Sequence, residues 1–177
     1  MMQYDVSSAH LNTSGLCYSG RTRIKGIVVV GTTGAGTVNV WDSTTAPVTG
    51  GTYTRSGYTV TVTSTAHGLT TGQQVGITFS AGTGGTATNG NYIITKTGAD
   101  TFTLTDLNTG TITGTGGCSY VVAPSSNTSP WVTSFDTAAV TAGANVMQLS
   151  FPGEGCLCHT GLYLQIATLT GVTVFYG

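Results

Sequence analysis

Apolar residues and threonine alternate one for one along much of this chain. Tyr58-Thr59-Val60-Thr61-Val62-Thr63 keeps strict period two, as do Phe102-Thr103-Leu104-Thr105 and Val172-Thr173-Val174-Phe175. Successive side chains of a strand point to opposite faces, so this pattern dictates strands with one covered face and one hydroxyl-bearing face. No stretch sustains apolar residues at i, i+3, i+4 and i+7, and Gly or a β-branched residue interrupts nearly every helical window. Strands are predicted at Arg21–Val30, Gly36–Asp42, Gly57–Ser64, Gln74–Phe79, Gly90–Thr97, Thr101–Asp106 and Ser119–Ala123. Further strands are predicted at Trp131–Asp136, Asn145–Phe151, Cys156–His159, Leu162–Ala167 and Val172–Tyr176. Gly31 to Gly36 reads as a hairpin loop, Gly98-Ala99-Asp100 as a tight turn, and Trp41 as a core anchor. Short strands at turn-bounded spacing predict an all-β fold, a sandwich or barrel rather than a βαβ fold, and an antiparallel, jelly-roll-like β-sandwich is the expectation adopted.

A compositional seam divides the chain. From about Tyr53 to Val122 it is almost purely Thr, Gly and small apolar residues, while the flanks hold both Trp and all three Met. Pro47-Val48-Thr49-Gly50-Gly51 leads in, and the Ser- and Asn-rich stretch from Pro124 to Pro130 leads out. The reading is a discontinuous β-sandwich body of residues 1–50 and 124–177, interrupted by a small β-module at 53–122. Insertions of this kind are tolerated at exposed loop tips.

Charge is the second constraint. Charged residues make up 6% of the chain and the net charge is −1, whereas a soluble monomer normally carries a charged surface. Much of the exterior is therefore expected to meet other subunits. Five Lys and Arg give no electrostatic footprint for nucleic acid. The start, Met1-Met2-Gln3-Tyr4-Asp5, lacks a basic and an apolar signal region, and no apolar run reaches the roughly 20 residues of a spanning helix. A chain made in the cytoplasm, with no membrane segment, is the expectation. At 177 residues a core can form without disulfides or metals, so Cys17, Cys118, Cys156 and Cys158 are expected as free thiols. Cys156-Leu157-Cys158-His159 is too tightly spaced for a zinc knuckle and has no second ligand pair; on a strand both thiols share one face and pack into a core.

Titratable groups are few and scattered: six carboxylates and three His. Catalysis needs such groups brought together, so neither catalytic residues nor a cofactor is expected. His67, before Gly68, reads as a turn residue bonded to nearby backbone; His10 as solvated; His159 as a residue on the strand face opposite Cys158. Gly31-Thr32-Thr33-Gly34-Ala35-Gly36 superficially resembles a phosphate loop, but Thr37 stands where Lys is required and a strand follows. Arg21, Arg23 and Lys25 alternate along one predicted strand and form the sole charge cluster of the sequence. Two readings stay open for them: an edge strand guarded by charge, or an electrostatic contact to an acidic neighbouring subunit. Exposed aromatics with amide partners, such as those around Asn89-Gly90-Asn91-Tyr92, leave glycan binding as a rival function.

Four separated elements carry a resemblance. Ala66-His67-Gly68-Leu69, then Gly72 with Val75, then Asn89-Gly90-Asn91-Tyr92, then Thr101-Phe102-Thr103-Leu104 resembles a short β-module that recurs in phage tail and capsid-associated proteins. The flanking stretches Gly20 to Gly26, Phe151 to Gly155 and Thr160 to Tyr163 are similar to small β-proteins encoded among phage structural genes. The resemblance implies a non-enzymatic virion protein. A capsid decoration or cement protein bound to the major capsid protein is the leading expectation, with a homotrimer on analogy with known decoration proteins. A tail, neck or fibre-associated virion protein is the alternative.

Overall fold

Ile24, Ile27 and Val29 on one strand, and Val38 and Val40 on the next, are the residues this sequence most needs to cover, and the fold is the means by which they cover each other. The structure is a computed structural model and describes residues 6–124, 129–138 and 145–177. The start at residues 1–5 and part of the exit linker, 125–128, lie outside the described residues. The described residues contain strands and no helix. The chain divides into two compact units, Met1–Ala46 with Val132–Gly177, and Pro47–Trp131.

The first unit is built from β1 (Ser7–Leu11), β2 (Gly15–Ser19), β3 (Thr22–Gly31), β4 (Gly36–Asp42), β10 (Trp131–Thr137, whose first residue belongs to the second unit), β11 (Val146–Ser150), β12 (Cys156–Cys158), β13 (Gly161–Ala167) and β14 (Leu169–Tyr176). One sheet runs β1-β14-β3-β11, with β12 continuing along β3 beyond β11, and the other runs β10-β4-β13-β2. Counting β11 and β12 as one interrupted strand, this is the eight-stranded, two-sheet order of a jelly roll. Ile24, Ile27, Val29, Val172 and Val174 of the first sheet and Val38, Val40, Leu162 and Leu164 of the second form a single buried cluster. Each such side chain contributes about 1.5–3 kcal/mol on full burial. Cys158 lies in that core and Cys156 packs against it, as the shared strand face requires.

Three expectations are corrected here. The stretch Gly31 to Gly36 is no hairpin loop: β3 and β4 lie in different sheets, so it is the corner by which the chain changes layers. Thr137 clamps this corner, its Oγ1 accepting the Gly36 N–H at 3.1 Å, and a Cβ at Gly36 would fall 2.4 Å from the Thr168 carbonyl. Second, β3 is not an edge strand. It has β14 on one side and β11 with β12 on the other, so guarding an edge cannot be the role of its cations. Third, β1 and β2 were not expected. Their Ser- and Asn-rich segment has only Leu11 and Cys17 packed inward, too weak an alternation to read.

The second unit holds β5 (Val48–Thr63), β6 (Gln74–Phe79), β7 (Gly90–Ile93), β8 (Thr95–Lys96) and β9 (Thr101–Val122). Its sheet curls into a half-barrel. β9 organises it: it pairs with β5 from Thr101 to Tyr120, takes β8 beside Phe102 and Thr103, and takes β6 beside Cys118 to Val122. The predicted strands at Thr101–Asp106 and Ser119–Ala123 are thus two ends of one bent strand. The strand bends where Gly57 faces Gly110 and the register slips before Thr59 meets Thr105. Inside the curl, Tyr53, Val60, Val62, Val75, Ile77, Phe102, Leu104 and Tyr120 are buried together.

Candidate interaction surface

The motif residues of the second unit can be followed one by one. His67 Nδ1 accepts the Leu69 N–H at 3.0 Å. That leaves the proton on Nε2, which donates to the Thr101 carbonyl at 3.3 Å, with the ring edge-on to Phe102. Ala66 and Gly68 on either side take positive φ, as this turn demands. Asp100 accepts the Ala66 N–H at 2.6 Å, tying the same turn to the start of β9. Leu69 and Val75 enter the core. Asn89 Oδ1 accepts the Phe79 N–H at 2.8 Å. Asn91 grips the Trp131 backbone at both ends of its amide, accepting from N at 3.0 Å and donating to O at 2.9 Å. Tyr92 is buried, and its hydroxyl donates to the Thr88 carbonyl at 2.6 Å. Burial, reinforced by the charge of Asp106, pushes that phenol up to about 12. The motif is a set of turn and core positions, and the Asn89–Tyr92 amides and phenol are engaged within the unit.

The carboxylates are engaged in the same way. Asp42, buried at the end of β4, accepts backbone N–H groups from His159 at 2.7 Å, Thr160 at 2.6 Å and Gly161 at 3.1 Å. Asp106 is buried and accepts from Arg55 Nη1 at 2.5 Å and from the Thr88 and Asn108 backbone at 3.3 Å. Burial alone would raise its titration point, but the bonds from Thr88, Arg55 and Asn108 hold it below the usual carboxylate range. Asp136 accepts from the Thr37 hydroxyl at 2.7 Å. Neither the Asp42 anchor nor the Arg55–Asp106 pair was visible in the sequence, because each partner lies far away along the chain.

The thiols are free, and burial raises each: Cys17 to about 11, Cys118 and Cys158 to about 12, and Cys156 upward by burial and then by Asp42. Among the described residues no His, Cys, Asp and Glu group has the geometry of a metal site. His10 is exposed and bonds Thr173 at 2.9 Å, and His159 is exposed just after β12.

The cation cluster divides. Arg21 lies in the bend before β3 and is exposed. Arg23 and Lys25 lie on the strand and share Glu154, in the turn between β11 and β12. Lys25 Nζ donates to its carbonyl at 3.0 Å, and Arg23 Nε stands 3.7 Å from its carboxylate. A bulge places Lys25 opposite the gap between Phe175 and Tyr176 of β14, and Gly26 follows it with Phe175 alongside. Beside this point a groove of about 270 Å³ opens, lined by Lys25, Gly26, Val28, Gln148, Ser150 and Phe175. Its polar groups are an amide, a hydroxyl and one ammonium. Lys25 stands out in the sequence, whereas the groove needs β3, β11 and β14 side by side.

Comparison of the chain with protein-family models, with curated proteins and with solved structures finds no match.

Proposed function

We propose that this chain is a non-enzymatic structural protein of a phage virion, a capsid decoration protein that stabilises the head by binding its assembled form. The observation that carries the reading is the exterior. Charge is scarce, and part of it is withdrawn inward in Asp42 and the Arg55–Asp106 pair. Large apolar side chains stand outside instead, among them Val146 at 66% and Leu107 at 77% exposure. Such a surface suits a protein whose working state is covered by neighbours. The jelly-roll order supports the reading as an analogy, since viral capsid domains use it, though lectins do too. The mechanism needs no chemistry: a protein that binds only the assembled shell stabilises it by mass action.

The test is co-sedimentation of the purified protein with phage heads stripped of accessory proteins, followed by counting copies per particle. Hundreds of copies, with heads that resist a higher temperature, are expected. A dozen or fewer copies would move the protein to the tail or neck, and no association with any particle would end the virion reading.

A further inference from the structure

β11 is an edge of its sheet, and the hydrogen bonds that flank it fix which of its groups are left over. The Gly31 N–H donates to Asn145 O at 2.7 Å, and the Phe151 N–H donates to Lys25 O at 2.9 Å. In an antiparallel ladder, bonded and non-bonded pairs alternate. Residues 145, 147, 149 and 151 therefore spend their backbone groups on β3, while Val146, Gln148 and Ser150 turn theirs to the open side. Among the described residues no strand borders that side. Natural edges are guarded by charge, proline or a bulge, and Val146-Met147-Gln148-Leu149-Ser150 carries none of these and keeps an unbroken register with β3.

We infer that β11 pairs with β11 of a second copy of this chain, antiparallel, about a two-fold axis through Gln148. This register engages all three outward-facing residues: Gln148 meets its own copy, and Val146 meets Ser150 in both directions. Met147 and Leu149 meet on the other face, an apolar pair repeated by the symmetry. The strand is uncharged, so the two copies bring no like charges together along it. Shape fits as well. Val146, 66% exposed in the single chain, is delivered beside Ser150, where the groove over Gly26 and Phe175 opens. Knob and groove on one surface are what an isologous contact requires.

Gln148→Pro removes an outward N–H and leaves every bond to β3 in place, which edge strands tolerate. Sedimentation equilibrium should show a dimer for the native chain and half that mass for the proline variant, with the circular dichroism spectrum and Tm retained. Gln148→Cys supplies a second readout. Bonded antiparallel pairs stand about 5.5 Å apart at Cα, within disulfide range, so mild oxidation should give a covalent dimer while the raised native thiols react slowly. A monomeric native chain, or an oligomer (a trimer included) that Gln148→Pro leaves intact, would overturn the inference. The inference is independent of the virion reading: a β11 dimer with no affinity for phage heads would remove that reading and leave this one standing.

Discussion

Asp106→Asn is the most informative single change, because it alters charge while nearly preserving shape. The Asp106 side chain has no exposed surface and that of Arg55 only 7%. The asparagine oxygen can still accept from Thr88 and Asn108, but an amide nitrogen must then face the guanidinium, whose Nε already lacks a partner among the described residues. Leaving one member of a buried pair uncompensated costs about 3–5 kcal/mol. At about 1.36 kcal/mol per tenfold, that is roughly two to nearly four orders of magnitude in the opening equilibrium. Hydrogen exchange reads this residue by residue: amides of β9 at Phe102 and Leu104 should lose protection by that factor, while Val38 and Leu164 of the jelly roll serve as internal reference. The acid limb supplies the sign. The folded carboxyl titrates below the ordinary carboxylate range, so its stabilisation is present above the unfolded titration point and is lost as pH falls through the lowered one. The native second unit should therefore weaken on acidification in a way the Asn variant does not. Adding Arg55→Met to Asp106→Asn should recover part of the loss, since it removes the uncompensated guanidinium while the asparagine oxygen still accepts from the Thr88 and Asn108 backbone. A loss of protection under tenfold in the Asn variant, or an equal loss in both units, would refute the reasoning.

Asp42→Ala orphans the N–H groups of His159, Thr160 and Gly161; chemical denaturation should show a loss of at least about 2 kcal/mol, carried by the jelly roll. Gly76→Ala places a Cβ 2.3 Å from the Trp131 nitrogen, so Trp131 must move off the Asn91 clamp, and its fluorescence should shift even where the chain stays folded. A thiol reagent at pH 8 should leave Cys17, Cys118 and Cys158 unmodified in the native protein and label all four on unfolding; rapid native labelling of Cys158 would contradict its burial.

Much of this fold was legible because its signals are local. Period-two alternation marked β4 and β6 to the residue, and the His67-Gly68 turn followed from its own neighbours. What failed was non-local. Whether Gly31 to Gly36 closes a hairpin or changes sheets depends on Val40 needing Leu164 opposite, which no window of sequence reveals. β9 read as two strands because Gly110, Gly114, Gly116 and Gly117 look like punctuation, when Tyr53 Cε1 would lie 2.3 Å from a Cβ at Gly116 and so demands a glycine there. The charge alternation of Arg21, Arg23 and Lys25 was read correctly only for the last two. The groove beside Lys25 could not be read at all, since Gln148 and Phe175 reach it from strands more than a hundred residues further on.

The long reach of β4 has a consequence for synthesis. Its partner β13 pairs Leu162 with Asp42, and everything between Pro47 and Trp131 must leave the ribosome before that partner exists. The half-barrel, by contrast, owns all its strands once Val122 has emerged. Translation thus imposes an order: the interrupting unit can finish while the nascent jelly roll still exposes the valines of β3 and β4, and a truncation after Trp131 should strand those valines in the open.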